Sequence, residues 1–176
     1  GMPSMMLGKA LLVEYGVSVS DEELKKTVED KREIYRHTAA GNIRAYPGVI
    51  ETLAMLRKNG IKLALVTGSN RKSVMQVIEE AGLIGAFDAI VTGDDTERGK
   101  PFPDPYSKGI EKLGADKAYS VVVENSPAGI KSAKAAGVDY VIAVTTTLPE
   151  DYFRDADDVM PSFPDLEGCL ARRSEK

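Results

Sequence analysis

Three short polar stretches, each following an apolar β-branched run, carry the residue types that handle phosphate and hard cations. In Val121-Val122-Val123-Glu124-Asn125-Ser126-Pro127 the apolar run stops at an acid and a helix-starting proline follows, the pattern of a buried strand delivering charge to a sheet edge. Open α/β sheets take ligands at the carboxyl ends of their parallel strands, so Glu124 and Asn125 are expected to present oxygen ligands where Mg2+ fits. Ile61-Lys62-Leu63-Ala64-Leu65-Val66 runs likewise into Thr67-Gly68-Ser69-Asn70. A hydroxyl, a glycine that lets backbone approach closely and the free N–H groups of a helix start make an anion site, which makes Thr67, Gly68 and Ser69 candidate phosphate binders. Lys100, set between Gly99 and Pro101, adds a point charge for a phosphoryl oxygen.

Each of these residues also has a plainer role. Threonine is common at strand ends, Ser69 or Asn70 can simply cap the next helix, a loop lysine is usually solvated, and Glu124-Asn125 can cap the helix that begins at Pro127. Their order at three successive strand ends favours a shared site, because capping requires no such order.

The elements that must hold these residues alternate along the chain. From Val49 onward we expect a helix to Asn59, strand 62–66, helix 71–81, strand 88–92, helix 105–113, strand 119–123, helix 127–136 and strand 140–144. Such alternation specifies right-handed βαβ units and a Rossmann-like parallel sheet with helices on both faces. A short helix, an extended piece at Asp158-Val159-Met160 and a helix through Leu166 and Leu170 close the chain. Residues 1–45 read as a partial helical cap, an αα-hairpin in which Ser20 and Glu23 form a capping box; residues 46–176 read as the α/β core. Gly41, Pro47 and Gly48 mark the hinge between them. At 176 residues, 43% hydrophobic, the chain is large enough for one sizeable core. A net charge of -4 with dispersed lysines argues against a nucleic-acid groove. The single Cys169 and the lack of a long apolar span give a cytoplasmic protein without membrane contact as the expectation.

The three stretches together resemble the haloacid dehalogenase superfamily, in its branch of small helical caps that includes β-phosphoglucomutase and sugar-phosphate phosphatases. Leu65-Val66-Thr67-Gly68-Ser69 is similar to the second motif of that family, Gly99-Lys100-Pro101 with Pro103-Asp104-Pro105 to the third, and Val123-Glu124-Asn125-Ser126 with Gly129, Ala133, Ala136 and Gly137 to the fourth. The resemblance implies a Mg2+-dependent phosphatase or phosphomutase acting on a small phosphorylated metabolite through an aspartyl-phosphate. It implies further that Thr67 and Lys100 are catalytic, holding the phosphoryl oxygens, and that Glu124 and Asn125 position the metal.

The family opens with a strand ending in Asp-x-Asp, and no Asp-x-Asp follows a strand here. The resemblance places that strand centrally, between those ending at Thr67 and Glu124; without it their edges stand about 9.6 Å apart. We therefore expect an incomplete family member, through a misplaced start at Met2, truncation or proteolysis, whose Mg2+ binding is weak or absent and which is inactive alone. Its two strands would collapse together, recruit residues 9–15, or borrow a strand by self-association. The alternative expectation is a catalytically inactive phosphate-binding or regulatory module; a receiver-like domain ranks below both. Asp94 and Asp95 are minor candidates for a substitute nucleophile or ligand, or for bracing the third-motif lysine or a metal-bound water.

Overall fold

The computed structural model describes residues 4–39 and 41–174, so Met2 and the start of the chain lie outside the described residues. Helices α1 (Ser4–Glu14) and α2 (Asp21–Ala39) form the expected hairpin. The capping box is present: the Ser20 N–H donates to Glu23 Oε2 at 2.8 Å and the Glu23 N–H to Ser20 Oγ at 3.2 Å. Asp21, Glu22 and Glu23 in the first turn of α2 complement its dipole. Lys9 to Glu14 lies within α1, so this segment is not drawn into a sheet.

The βα alternation follows as the periodicity indicates: α3 (Val49–Lys58), β1 (Ala64–Val66), α4 (Arg71–Glu80), β2 (Ala89–Val91), α5 (Asp104–Leu113), β3 (Val121–Glu124), α6 (Pro127–Ala135), β4 (Tyr140–Val144), β5 (Asp158–Met160) and α7 (Leu166–Ser174). Every strand pairing is parallel, with Leu65 opposite Ile90, Val123 opposite Ile142 and Ala143 opposite Val159. Strand β4 is buried along its whole length, and its side chains alternate between two cores. Val141 and Ala143 join Ile130 and Ala133 of α6 and Tyr106 of α5 on one face. Tyr140, Ile142 and Val144 join Leu166 and Cys169 of α7 on the other, with Leu56 of α3 packed against them. Burying each such aliphatic side chain stabilises the fold by about 1.5–3 kcal/mol, so β4 is the axis of the molecule.

The sheet is in two pieces, β1-β2 and β3-β4-β5. Strands β1 and β3 neither collapse onto each other nor take up residues 9–15, which corrects both of those expectations. Leu63 accepts from Asp88 N at 2.8 Å and Thr67 N donates to Val91 O at 2.9 Å, so by strand alternation Ala64 and Val66 direct their backbone groups away from β2. Accordingly β1 is only half-buried, as is β3 up to Val123, although β4 beside it is fully covered. Among the described residues no helix is long and apolar enough to cross a membrane.

Candidate functional site

Strand β3 ends by carrying Glu124 into the interior, where it is 6% exposed. A helix normally has no room beside it for a buried carboxylate, but α6 has Gly129 there: a Cβ on Gly129 would stand 2.0 Å from Glu124 Cδ. Serine 126 caps α6 by accepting from Gly129 N at 3.1 Å and also donates its hydroxyl to Glu124 Oε2 at 3.1 Å. The N–H groups of Asn125 and Ser126 reach the same oxygen at 3.0 and 3.2 Å. Oε1 receives Lys100 Nζ in a short ion pair and the Tyr106 hydroxyl at 2.6 Å. Five donors converge on this one carboxylate.

Lys100 is 3% exposed. Its ammonium has three N–H groups and meets three acceptors: Glu124 Oε1, Tyr106 Oη at 3.1 Å and the Val66 carbonyl at 3.1 Å. The loop that carries it is tied to α6 by Ser132, whose hydroxyl donates to Phe102 O at 2.5 Å. Burial raises the Glu124 pKa, but the Lys100 charge and the donated hydrogen bonds outweigh it and hold the carboxyl below its ordinary value. Burial, then the Glu124 charge, pushes the Tyr106 phenol well above its own, so the phenol stays protonated and donates.

At the end of β1, Thr67 Oγ1 accepts from Ser69 N at 3.2 Å, which leaves the hydroxyl proton of Thr67 available to a ligand. Thr67 and Gly68 are half-buried and Ser69 is exposed. The start of α4 is less open to an anion than the sequence implies. Asn70 Oδ1 caps Ser73 N at 2.9 Å, and Asp94 Oδ2 takes Arg71 N at 2.8 Å. Gly93 seals this loop against β2, donating to Ser69 O at 2.7 Å from a backbone so close that a Cβ would meet Gly68 O at 2.5 Å.

The structure therefore brings Lys100, Glu124 and the β1 end at Val66-Thr67 together, with Asn125 exposed at the rim. Asp94 and Asp95 do not brace Lys100. Asp95 instead accepts from Thr92 N at 2.8 Å and Thr92 Oγ1 at 2.6 Å and pairs with Arg71 at 3.2 Å and Lys112 at 3.4 Å. The Thr92 hydroxyl and amide hold its pKa far below the carboxylate range. Sequence reading missed Tyr106, because a tyrosine in the first turn of a helix reads as packing; its place six residues after Lys100 was the available signal.

A bound Mg2+ does not fit this arrangement. Among the described residues no three His, Cys, Asp or Glu side chains gather as a cation site, and both oxygens of Glu124 are committed to donors. Two surface hollows, of about 610 and 470 Å3, lie elsewhere, at β5-α7 and beside α5.

Residues 7–143 match the haloacid dehalogenase-like hydrolase family. The chain is 39% identical over 126 residues to the pyrophosphatase PpaX of Halalkalibacterium halodurans, covering 70% of this chain and 59% of that protein. It is 31% identical to a phosphorylated carbohydrates phosphatase of Thermotoga maritima, over 84% of this chain and 67% of the relative. Against these curated relatives it thus spans roughly three-fifths to two-thirds of their length. Among solved structures it superposes on CbbY from Rhodobacter sphaeroides, crystallised with phosphate, at a TM-score of 0.72 and 25% identity, over 85% of this chain and 67% of that one.

Proposed function

The chain belongs to the haloacid dehalogenase-like hydrolases, and from that membership we propose that it carries the phosphoryl-holding part of a phosphatase or phosphomutase site for a small phosphorylated metabolite. The observation that supports this most is the buried Lys100 ammonium, in contact at once with the carboxyl ends of β1 and β3 through Val66 O and Glu124. Loop lysines are ordinarily solvated, and one held in this position places a cation, paired with Glu124, where parallel strands end. The pyrophosphatase and carbohydrate phosphatase relatives, and the phosphate in the CbbY crystal, are consistent with a phosphorylated ligand.

In the reaction a nucleophile attacks phosphorus and the bond from phosphorus to the leaving oxygen breaks, with water completing hydrolysis. The Thr67 hydroxyl donates to one phosphoryl oxygen and Lys100 neutralises another, an effect largest where charge builds in the transition state. The αα-hairpin, residues 1–45, would act as a cap that excludes water and selects the leaving group. Glu124, with five donors upon it, anchors the lysine and is no nucleophile, and it does not serve a cation in this arrangement. The attacking carboxylate is therefore not part of this cluster.

Titration with inorganic phosphate, followed by 31P NMR, tests the reading: wild type should bind, and Lys100→Ala should bind at least tenfold more weakly. Equal affinity in the two would remove Lys100 from the site. Phosphate release from pyrophosphate and a panel of sugar phosphates should stay at background with this chain, with little response to Mg2+; Lys100-dependent turnover would show that a nucleophile is present after all. A binding or regulatory module without turnover is the second reading, favoured by the saturated Glu124, and binding without release by any longer form of the protein would select it.

A further inference from the structure

Resting on the phosphoryl-holding reading above, we propose that Tyr106 is a positioning residue: its hydroxyl keeps the Lys100 ammonium in store beside Glu124 and gives up its N–H when a phosphoryl oxygen arrives. All three N–H groups of Lys100 are satisfied inside the protein, by Val66 O, Tyr106 Oη and Glu124 Oε1. An anion that takes the lysine must displace one of these acceptors. Val66 O is a backbone carbonyl whose neighbours Leu65 and Thr67 are tied to β2, so it cannot swing aside as a side chain can. Glu124 carries a full charge, and its second oxygen is fixed by Asn125 N, Ser126 N and Ser126 Oγ. Tyr106 is the neutral partner on a side chain, and its own donated bond to Glu124, 2.6 Å long, survives if Lys100 lets go. The ammonium also lies 4.8 Å from the centre of the Tyr106 ring, so loss of the hydroxyl contact does not leave the charge without a neighbour.

The phenol is thus an internal stand-in for the incoming phosphoryl oxygen, and packing alone does not account for it. A phenylalanine would fill the same space at 6% exposure without the bridge between the two charges. Removing the hydroxyl leaves one lysine N–H unpaired, lowers stability, and spares the anion the displacement.

The test compares wild type, Tyr106→Phe and Lys100→Ala by thermal melting, by inorganic phosphate titration and by the 15N ammonium signal of Lys100. Tyr106→Phe should melt lower, shift the Lys100 signal, and bind phosphate about 3- to 10-fold more tightly than wild type, the value of one hydrogen bond. A purely structural tyrosine would lower the melting temperature without tightening binding. Unchanged or weaker phosphate affinity in Tyr106→Phe, or an unmoved ammonium signal, overturns the proposal, whereas the wild type against Lys100→Ala comparison judges the functional reading by itself. Binding in none of the three overturns both. If Tyr106→Phe fails to fold, replacing the Tyr106 side chain by 3-fluorotyrosine keeps the shape, weakens the acceptor and should change affinity in the same direction.

Discussion

A buried lysine and a buried carboxylate that share one contact depend on each other more than either depends on the rest of the core. Deleting Lys100 leaves Glu124 charged at 6% exposure with its main counter-charge gone. Lys100→Ala should therefore destabilise the fold by about 3–5 kcal/mol in urea unfolding, and Thr67→Ala, on a half-buried hydroxyl, by roughly 1 kcal/mol or less. Equal costs would show that the ion pair is not closed in solution. Asp95 offers a test that varies with pH. Its folded pKa is depressed, chiefly by the Thr92 hydroxyl and amide, so its contribution is fully present above the unfolded value near pH 4 and is lost as pH falls through the folded value. Asp95→Asn should cost about 1–3 kcal/mol at pH 7, and the difference from wild type should shrink below about pH 4. A difference that stayed constant down to pH 3 would mean Asp95 does not hold the Thr92 turn through its charge.

At the scale of elements, α6 is a helix shaped by the group it packs against. Helix propensity alone says that Gly129→Ala gains about 1 kcal/mol. Tertiary packing says the reverse: the new methyl would stand 2.1 and 2.2 Å from the two oxygens of Glu124 and drive the carboxylate out of its five-donor setting. We expect a loss on the order of 3 kcal/mol, together with loss of phosphate binding. A stabilised Gly129→Ala variant would show that Glu124 does not lie against α6. The same reasoning explains why Asp94 and Asp95, minor candidates in the sequence, serve the fold instead. They follow a strand as Glu124 does, but their partners are Arg71, Thr92 and Lys112, which the sequence scatters and only the fold assembles.

At the scale of the molecule, the two sheet pieces share α5, which packs on β1 and β2 and sends Tyr106 into the core built on β4. Lys100 joins them at the strand ends, its ammonium on Val66 O doing for that carbonyl what a neighbouring strand's N–H would do. Between β1 and β3 the backbone groups of Ala64 and Val66 face a slot with no strand pairing among the described residues. Hydrogen exchange should show the Ala64 and Val66 amides exchanging orders of magnitude faster than those of Val141 and Ile142 in β4. Protection of Ala64 and Val66 comparable to β4 would mean the slot is filled in solution, and light scattering at the same concentration would then show whether a second copy fills it.

The sequence by itself determined the order and type of nearly every element, because apolar β-branched runs at a regular spacing from helical patterns leave parallel βαβ units as the one consistent packing. It also marked where β1 and β3 end, since an apolar run that stops at Thr67 or Glu124 marks the point where the chain leaves the sheet. What lay beyond it were contacts between residues remote in the chain. Nothing local to Glu124 says that Lys100 and Tyr106 saturate one of its oxygens, that Gly129 makes the room, or that the α4 start is already capped by Asp94 from another strand end. Those depend on side-chain reach across packed elements, and tertiary structure alone decided that Glu124 is held by five donors and that Lys100 is buried against it.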